Sequence, residues 1–292
     1  MFISRKVLSH IIGYALTFSI FIFPYNVLLN LLFKTELFNF SLFILNFFFY
    51  FFITYRFKFI SSFKIFRLII LQLIGIGFIS FWVSSLALII VILSKADSFL
   101  FGIISSIIII LLCVISFLKG KSIKIRQLKL NSKKIKNNVK FLFISDVHLG
   151  SNSKNYLLKI VKKIRSLNFD FLIIGGDLID SSDFEMENLK ILKTIKKNIY
   201  FVTGNHEYYL KDWKNRSKIL CKYHIKLLKN KAIKFKNLNI IGLDENNSIR
   251  NQKVLIDSVH MKNLFNLVVA HKPSIWSDSK KKNRFDVIWT YS

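Results

Sequence analysis

Acidic residues are nearly missing from the first 118 positions of this 292-residue chain, where only Glu36 and Asp97 occur. Cysteine is almost as rare. Cys113 lies in an apolar run and Cys221 in a basic stretch of the other half, which excludes a disulfide framework and fits a reducing cytosol. Only two prolines occur, Pro24 and Pro273, so the long apolar runs are unbroken apart from a softening of the first by Pro24, Asn26 and Asn30.

What is there falls into two unlike halves. The chain is 52% hydrophobic with 31 Phe and only 21% charged, yet residues 119–292 hold the other 14 acids and 36 of the 44 bases, a net +22. Lys, Asn, Ile and Phe abound as they would from an AT-rich genome, so part of that charge reflects codon usage. Its bases scatter around helices without aromatic interleaving, and nucleic acid is not an expected partner.

Four charge-free runs, Ile11–Phe33, Leu37–Tyr55, Leu68–Leu93 and Phe99–Leu118, fill the first half. Each approaches the ~20 apolar residues that cross roughly 30 Å of hydrocarbon as a helix. Four in a row predict a four-span α-helical membrane domain over 1–118, not a set of buried core helices. The first run is too long for a cleaved signal peptide. No ionisable residue lies inside a run, which excludes a proton relay and disfavours transport, so anchoring is the plain reading.

Arg5 and Lys6 precede the first run, Arg56, Lys58, Lys64 and Arg67 fill the second connection, and Lys119 to Lys140 has nine bases and no acid. Lys34-Thr-Glu36 and Lys95-Ala-Asp97 are short and neutral. The positive-inside rule therefore places the N-terminus and the whole C-terminal half in the cytoplasm, on a multi-pass protein of the inner (plasma) membrane. Residues 119–138 read equally as a plain linker or as a patch for anionic membrane lipid.

The second half alternates short apolar runs with amphipathic stretches. Lys140–Ile144, Phe171–Ile174 and Ile199–Val202 read as buried strands. Leu157, Leu158, Ile160, Val161, Ile164 and Leu167 space one helix face, and Met186, Leu189, Leu192 and Ile195 face inward from a second helix-like stretch. That order predicts an α/β sheet with right-handed crossovers. Ala232–Phe235, Asn239–Leu243, Leu267–Ala270 and Phe285–Trp289 predict a second sheet packed on it.

Polar clusters follow these strands: Asp146-Val-His148, Gly175-Gly-Asp177, Gly204-Asn205-His206-Glu207 and His271. Strand tips are where open α/β sheets build sites. Carboxylate, imidazole and amide oxygen are the donors that a pair of divalent metals needs to hydrolyse a phosphoester. Asp146 and His148 approach one ion, Asp177 bridges, and Asn205 and His271 face the second. Aspartates after strands also serve as helix caps, and Gly-Asn pairs as turns; four motifs in order favour the metal reading. His10, His224 and His260 match no motif and read as structural or surface residues. Glu207 and Asp180 read as ligand orienters or as surface groups, and Tyr208 and Tyr209 as pocket lining or, preferably, helix-start packing.

Phe-Ile-Ser-Asp146-Val-His148, Gly-Gly-Asp177, Gly-Asn205-His206-Glu207 and Ala-His271-Lys-Pro resemble the calcineurin-like metallophosphoesterases, in particular the bacterial branch with multi-span N-terminal regions. The resemblance covers roughly 139–289 and implies a four-layer α/β/β/α sandwich over 139–292. It implies that Asp146, His148 and Asp177 bind one metal and Asp177, Asn205 and His271 a second, as Mn, Fe or Zn. His206 would touch the substrate phosphate and help protonate the leaving group. The family continues past its last core strand with Gly-His-x-His, whereas this sequence ends at Thr290-Tyr-Ser292. The expectation is a sandwich incomplete at its C-terminus. Three functions compete. They are a membrane-anchored phosphohydrolase acting on phosphomonoesters, diesters or pyrophosphates, with a lipid-linked substrate attractive; a pseudoenzyme; and, last, a nucleic-acid-processing relative.

Overall fold

The computed structural model describes residues 5–62, 64–120, 122–275 and 285–290. It divides into two compact units, Met1–Lys124 and Ile125–Ser292, each described by itself below.

The first unit is helical: α1 (Arg5–Phe21), α2 (Phe23–Phe33), α3 (Phe40–Ser62), α4 (Lys64–Ser94) and α5 (Ser98–Gly120). Among the described residues, three helical segments are long and apolar enough to cross a membrane: Arg5–Phe33, Ile69–Ser94 and Ser98–Gly120. The run expected as a span over Leu37–Tyr55 gives the shorter apolar helix Phe40–Tyr55. Helix α3 starts at Phe40, where the Asn39 side chain accepts from the Ser41 amide (3.1 Å) and caps the first turn. Pro24 lacks an amide to donate to Ile20, four residues earlier. That carbonyl faces Gly77 of α4, where a Cβ would sit 2.3 Å from it, so glycine permits the close helix approach. Val27, Leu31 and Ala87 form the buried centre. No more than 22% of each spanning window is buried within the unit, so most of this apolar surface needs lipid against it.

The second unit opens with β1 (Phe141–Ile144), followed by α6 (Lys154–Arg165), β2 (Phe171–Ile174), a 3-10 helix (Met186–Thr194) and β3 (Asn198–Phe201). Then come α7 (Asn205–Tyr209), α8 (Trp213–Ile219), a 3-10 turn (Leu220–Tyr223) and β4 (Ile225–Leu227). The chain finishes with β5 (Lys231–Phe235), β6 (Leu238–Gly242), α9 (Ile249–Val259), β7 (Phe265–Val269) and β8 (Val287–Trp289). The first sheet has order β1-β2-β3-β4 and is wholly parallel; the second has order β5-β6-β7-β8, antiparallel only between β5 and β6.

Alternation on each strand makes the layers. Phe171, Ile173, Tyr200 and Val202 of the first sheet pack face to face with Leu238, Ile240, Phe265, Leu267 and Val269 of the second. The opposite face of the second sheet, Ile241, Leu243, Val268 and Ala270, is covered by Ile256 of α9. On α6, Leu157, Ile160, Val161 and Ile164 are buried, a helical i, i+3, i+4, i+7 stripe. The stretch after β2 is a 3-10 helix because Met186, Leu189, Leu192 and Ile195 recur every third residue, the period of that helix. These layers form an α/β sandwich with helices outside two sheets.

Asp286 ties β8 to β7. Its carboxylate accepts from the Asn266 amide (2.7 Å) and pairs with Lys134 (2.9 Å). Burial pushes this carboxyl up, but the Asn266 amide and the Lys134 ammonium outweigh it and hold it below the usual range. A depressed carboxyl contributes stability that is present above its unfolded pKa and lost as pH falls through the folded one. The melting temperature of the detergent-solubilised chain should therefore fall on acidification below about pH 4, with a shallower slope for Asp286→Asn.

Candidate metal centre

Each motif lies just beyond the C-terminal end of a parallel strand, the third of them running into α7. Beyond β1 and β2 the two chains stay paired: Asp146 N donates to Gly176 O (3.2 Å), His148 N to Asp177 O (2.9 Å) and Leu149 N to Leu178 O (2.8 Å). This ladder holds three side chains on left-handed backbone, Asp146 (φ 55°), His148 (φ 48°) and Asp177 (φ 51°). Such a conformation costs about 1–3 kcal/mol at a non-glycine residue and gathers at functional sites.

The side chains converge on Asp177, which is 3% exposed. Its Oδ2 lies 3.3 Å from His271 Nε2, 3.9 Å from His148 Nε2 and 3.9 Å from His206 Nε2. Asp146 Oδ1 is 3.6 Å from His148 Nε2, and the His148 and His206 ring centroids are 4.6 Å apart. Two donor groups thus form within 4.8 Å: His148, Asp177 and His206; and Asp146, Asp177 and His271. Asn205 opens α7, next to His206 and directly after Gly204.

The donor set fits a divalent cation. Asp146 Oδ2 is buried without a hydrogen-bond partner, a state that ordinarily costs free energy unless a cation or water meets it. His271 Nδ1 donates to Gly175 O (3.0 Å), which turns Nε2, the nitrogen a cation would take, toward Asp177. Without a cation, that ring holds a proton. Burial works to lower its pKa, but the Asp177 bond, the Gly175 carbonyl and the charges of Asp177 and Asp146 raise it to about 9. Asp177 is the counterpart: burial pushes its carboxyl up, and His271 and the His206 amide pull it below the ordinary value.

Glu207 supports the centre from beneath. It is fully buried, and its carboxylate accepts from the amides of Gly204 (2.8 Å), Asp177 (3.0 Å) and Ile179 (3.0 Å). Burial, aided by the charge of Asp177, raises its pKa to about 7 against those bonds. Of its two sequence readings, orienter and surface group, the buried orienter is the one observed. Asp180 also turns inward, accepting from Ser151 N (2.9 Å) with Oδ2 3.7 Å from His148 Nδ1. Tyr208 bonds Asp244, whereas Tyr209 is 71% exposed with its ring 5.4 Å from that of His206. His10 bonds Tyr50 (2.9 Å), and His224 and His260 end helices, none of them in this cluster.

Gly204 is the tightest fit. A Cβ there would lie 2.1 Å from Asp177 Oδ1 and 2.6 Å from Asp177 N. Gly204→Ala is expected to displace that carboxylate and weaken manganese binding at least ~10-fold, since orienting groups are worth 10–100-fold. Calorimetric titration of the full chain checks this, with circular dichroism confirming an intact fold.

Residues 139–292 match the model of the calcineurin-like phosphoesterases. The chain belongs to this family, hydrolases acting on phosphoester bonds. A transmembrane protein with metallophosphoesterase domain of Danio rerio is 33% identical over 102 residues, 34% of this chain and 23% of that protein. An uncharacterized metallophosphoesterase of Campylobacter jejuni is 29% identical over 93 residues, 30% and 25% of the respective chains. The uncharacterized protein YpbG of Bacillus subtilis is 29% identical over 179 residues, 58% of this chain and 66% of its own. The chain thus spans about a quarter of the length of the first two relatives.

Proposed function

We propose that this phosphoesterase is a membrane-anchored phosphohydrolase with a dinuclear metal centre. Asp146, His148 and Asp177 would hold one divalent ion, Mn, Fe or Zn, and Asp177, Asn205 and His271 the other. The observation that carries the reading is the convergence of three imidazoles on Asp177 Oδ2 beside the unpartnered Asp146 Oδ2. Divalent ions held there would offset phosphate charge and lower the pKa of a bound water. Asp177, its carboxyl held below the ordinary range by His271 and the His206 amide, would supply a negative ligand to both. His206, more exposed than His271, contacts a phosphate oxygen and donates a proton to the leaving oxygen. The raised pKa of His271 means that its proton leaves when a cation arrives.

The apolar helices make it a membrane protein, and we assign residues 1–118 to the anchor, 119–138 to a linker and 139–292 to the catalytic domain. Basic flanks orient the catalytic domain toward the cytoplasm of an inner membrane. In the linker, Leu128 and Leu130 are exposed among unpaired Lys124, Arg126 and Lys129 of the described residues, a composition suited to anionic headgroups. An anchored site favours a lipid-linked pyrophosphate or phosphodiester. The full chain reconstituted in vesicles with manganese should hydrolyse such a lipid and stop on chelation. Turnover of a soluble phosphodiester but not of the lipid-linked compound would remove the lipid assignment, and no metal-dependent turnover of either would remove the enzyme reading.

A further inference from the structure

Asp244 is a buried carboxylate (5% exposed) just past the tip of β6, in the sheet that does not carry α7. A charge there is expensive unless it is fully engaged, and every polar atom of the residue is. Its amide donates to Asn230 Oδ1 (3.0 Å), and its carbonyl accepts from Gln252 Nε2 (3.0 Å). Lys229 Nζ lies 3.5 Å from Oδ2. Oδ1 accepts from Thr203 Oγ1 (2.6 Å) and from the Tyr208 hydroxyl. The Thr203 oxygen in turn accepts from the Glu245 amide (3.3 Å), so its one proton is committed to Asp244.

Thr203 and Tyr208 bracket the segment that matters. One precedes Gly204 and the other lies two residues past His206. Helix α7 (Asn205–Tyr209), which includes Tyr208, has five residues, too few to hold a helix by its own hydrogen bonds. Its placement must come from side-chain bonds to the rest of the domain. Glu207 of α7 supplies one grip, on the Asp177 and Ile179 amides beyond β2.

We propose that Asp244 is a positioning residue that clamps α7 from the second sheet through Thr203 and Tyr208, and thereby sets Asn205 and His206 at the metal centre. The metal part of this proposal rests on the dinuclear reading above; the clamp itself does not.

The test uses the full chain in detergent micelles. In metal-free protein, Asp244→Ala should speed hydrogen exchange of amides 203–209 at least ~10-fold while the β2 amides at 171–174 stay protected, because the loosened unit is local. Thr203→Val should reproduce the change, and Thr203→Ser, which keeps the hydroxyl, should behave as the unaltered chain. In manganese titrations Asp244→Ala should weaken one of two binding steps by about 10–100-fold and spare the other. Unchanged exchange at 203–209 overturns the clamp. Loss of protection throughout β2 overturns it too, since Asp244 would then only hold the fold together. Absence of manganese binding by the unaltered chain, with α7 still responding to Asp244→Ala, supports the clamp and overturns the dinuclear reading instead.

Discussion

Asp177→Asn should lower manganese-dependent phosphoester hydrolysis by at least ~100-fold. Groups that merely orient a metal ligand are worth 10–100-fold, and a ligand shared by two ions stands at or above the top of that range. The change is nearly isosteric, so the fold should survive; Oδ1 can still accept from the His206 amide, now 2.9 Å away. What disappears is the charge that meets three imidazoles within 3.3–3.9 Å. In the metal-free protein, the titration of His271 should fall from about 9 toward its ordinary value, readable by NMR of the ring. Turnover within tenfold of the unaltered chain would remove Asp177 from the centre.

Glu207→Ala should be the most destabilising single change in the second unit. It strands the amides of Gly204, Asp177 and Ile179 in a dry interior, each at about 1–3 kcal/mol. A total near 3–5 kcal/mol is expected, in the class of severe core lesions. Hydrogen exchange reads it directly: those three amides should lose protection together, by two or more orders of magnitude. Glu207→Gln keeps one acceptor oxygen but turns an amide N–H toward a donor, so it should fall between. Equal protection in Glu207→Ala would mean that the three amides find other acceptors.

The motifs were legible because three of them follow β1, β2 and β3, four-residue strands whose tips are neighbours in one sheet, and His271 follows the five-residue β7 of the other. The layers were legible for the same reason, since alternation along Phe171–Ile174 and Phe265–Val269 buries both faces. The spacing of Met186, Leu189, Leu192 and Ile195 by threes already carried the 3-10 period, although it reads at first as an ordinary amphipathic helix. Strand β4 escaped because Ile225-Lys-Leu227 is three residues long with a lysine at its centre. Asp244 escaped because Leu243-Asp-Glu245 looks like any turn; its place beyond β6 was the available signal. Which side chains grip α7 depends on contacts between residues 36–41 positions apart, and no local pattern encodes those.

Because the candidate donors follow successive strands, the proposed centre would be assembled in the order of synthesis. Roughly 125 residues separate Asp146 from His271, so at ~5–20 residues per second the ribosome delivers the last imidazole about 6–25 s after the first carboxylate. On the proposed metal reading, the nascent chain would during that interval expose an acidic half-cup able to meet a cation before its final wall arrives.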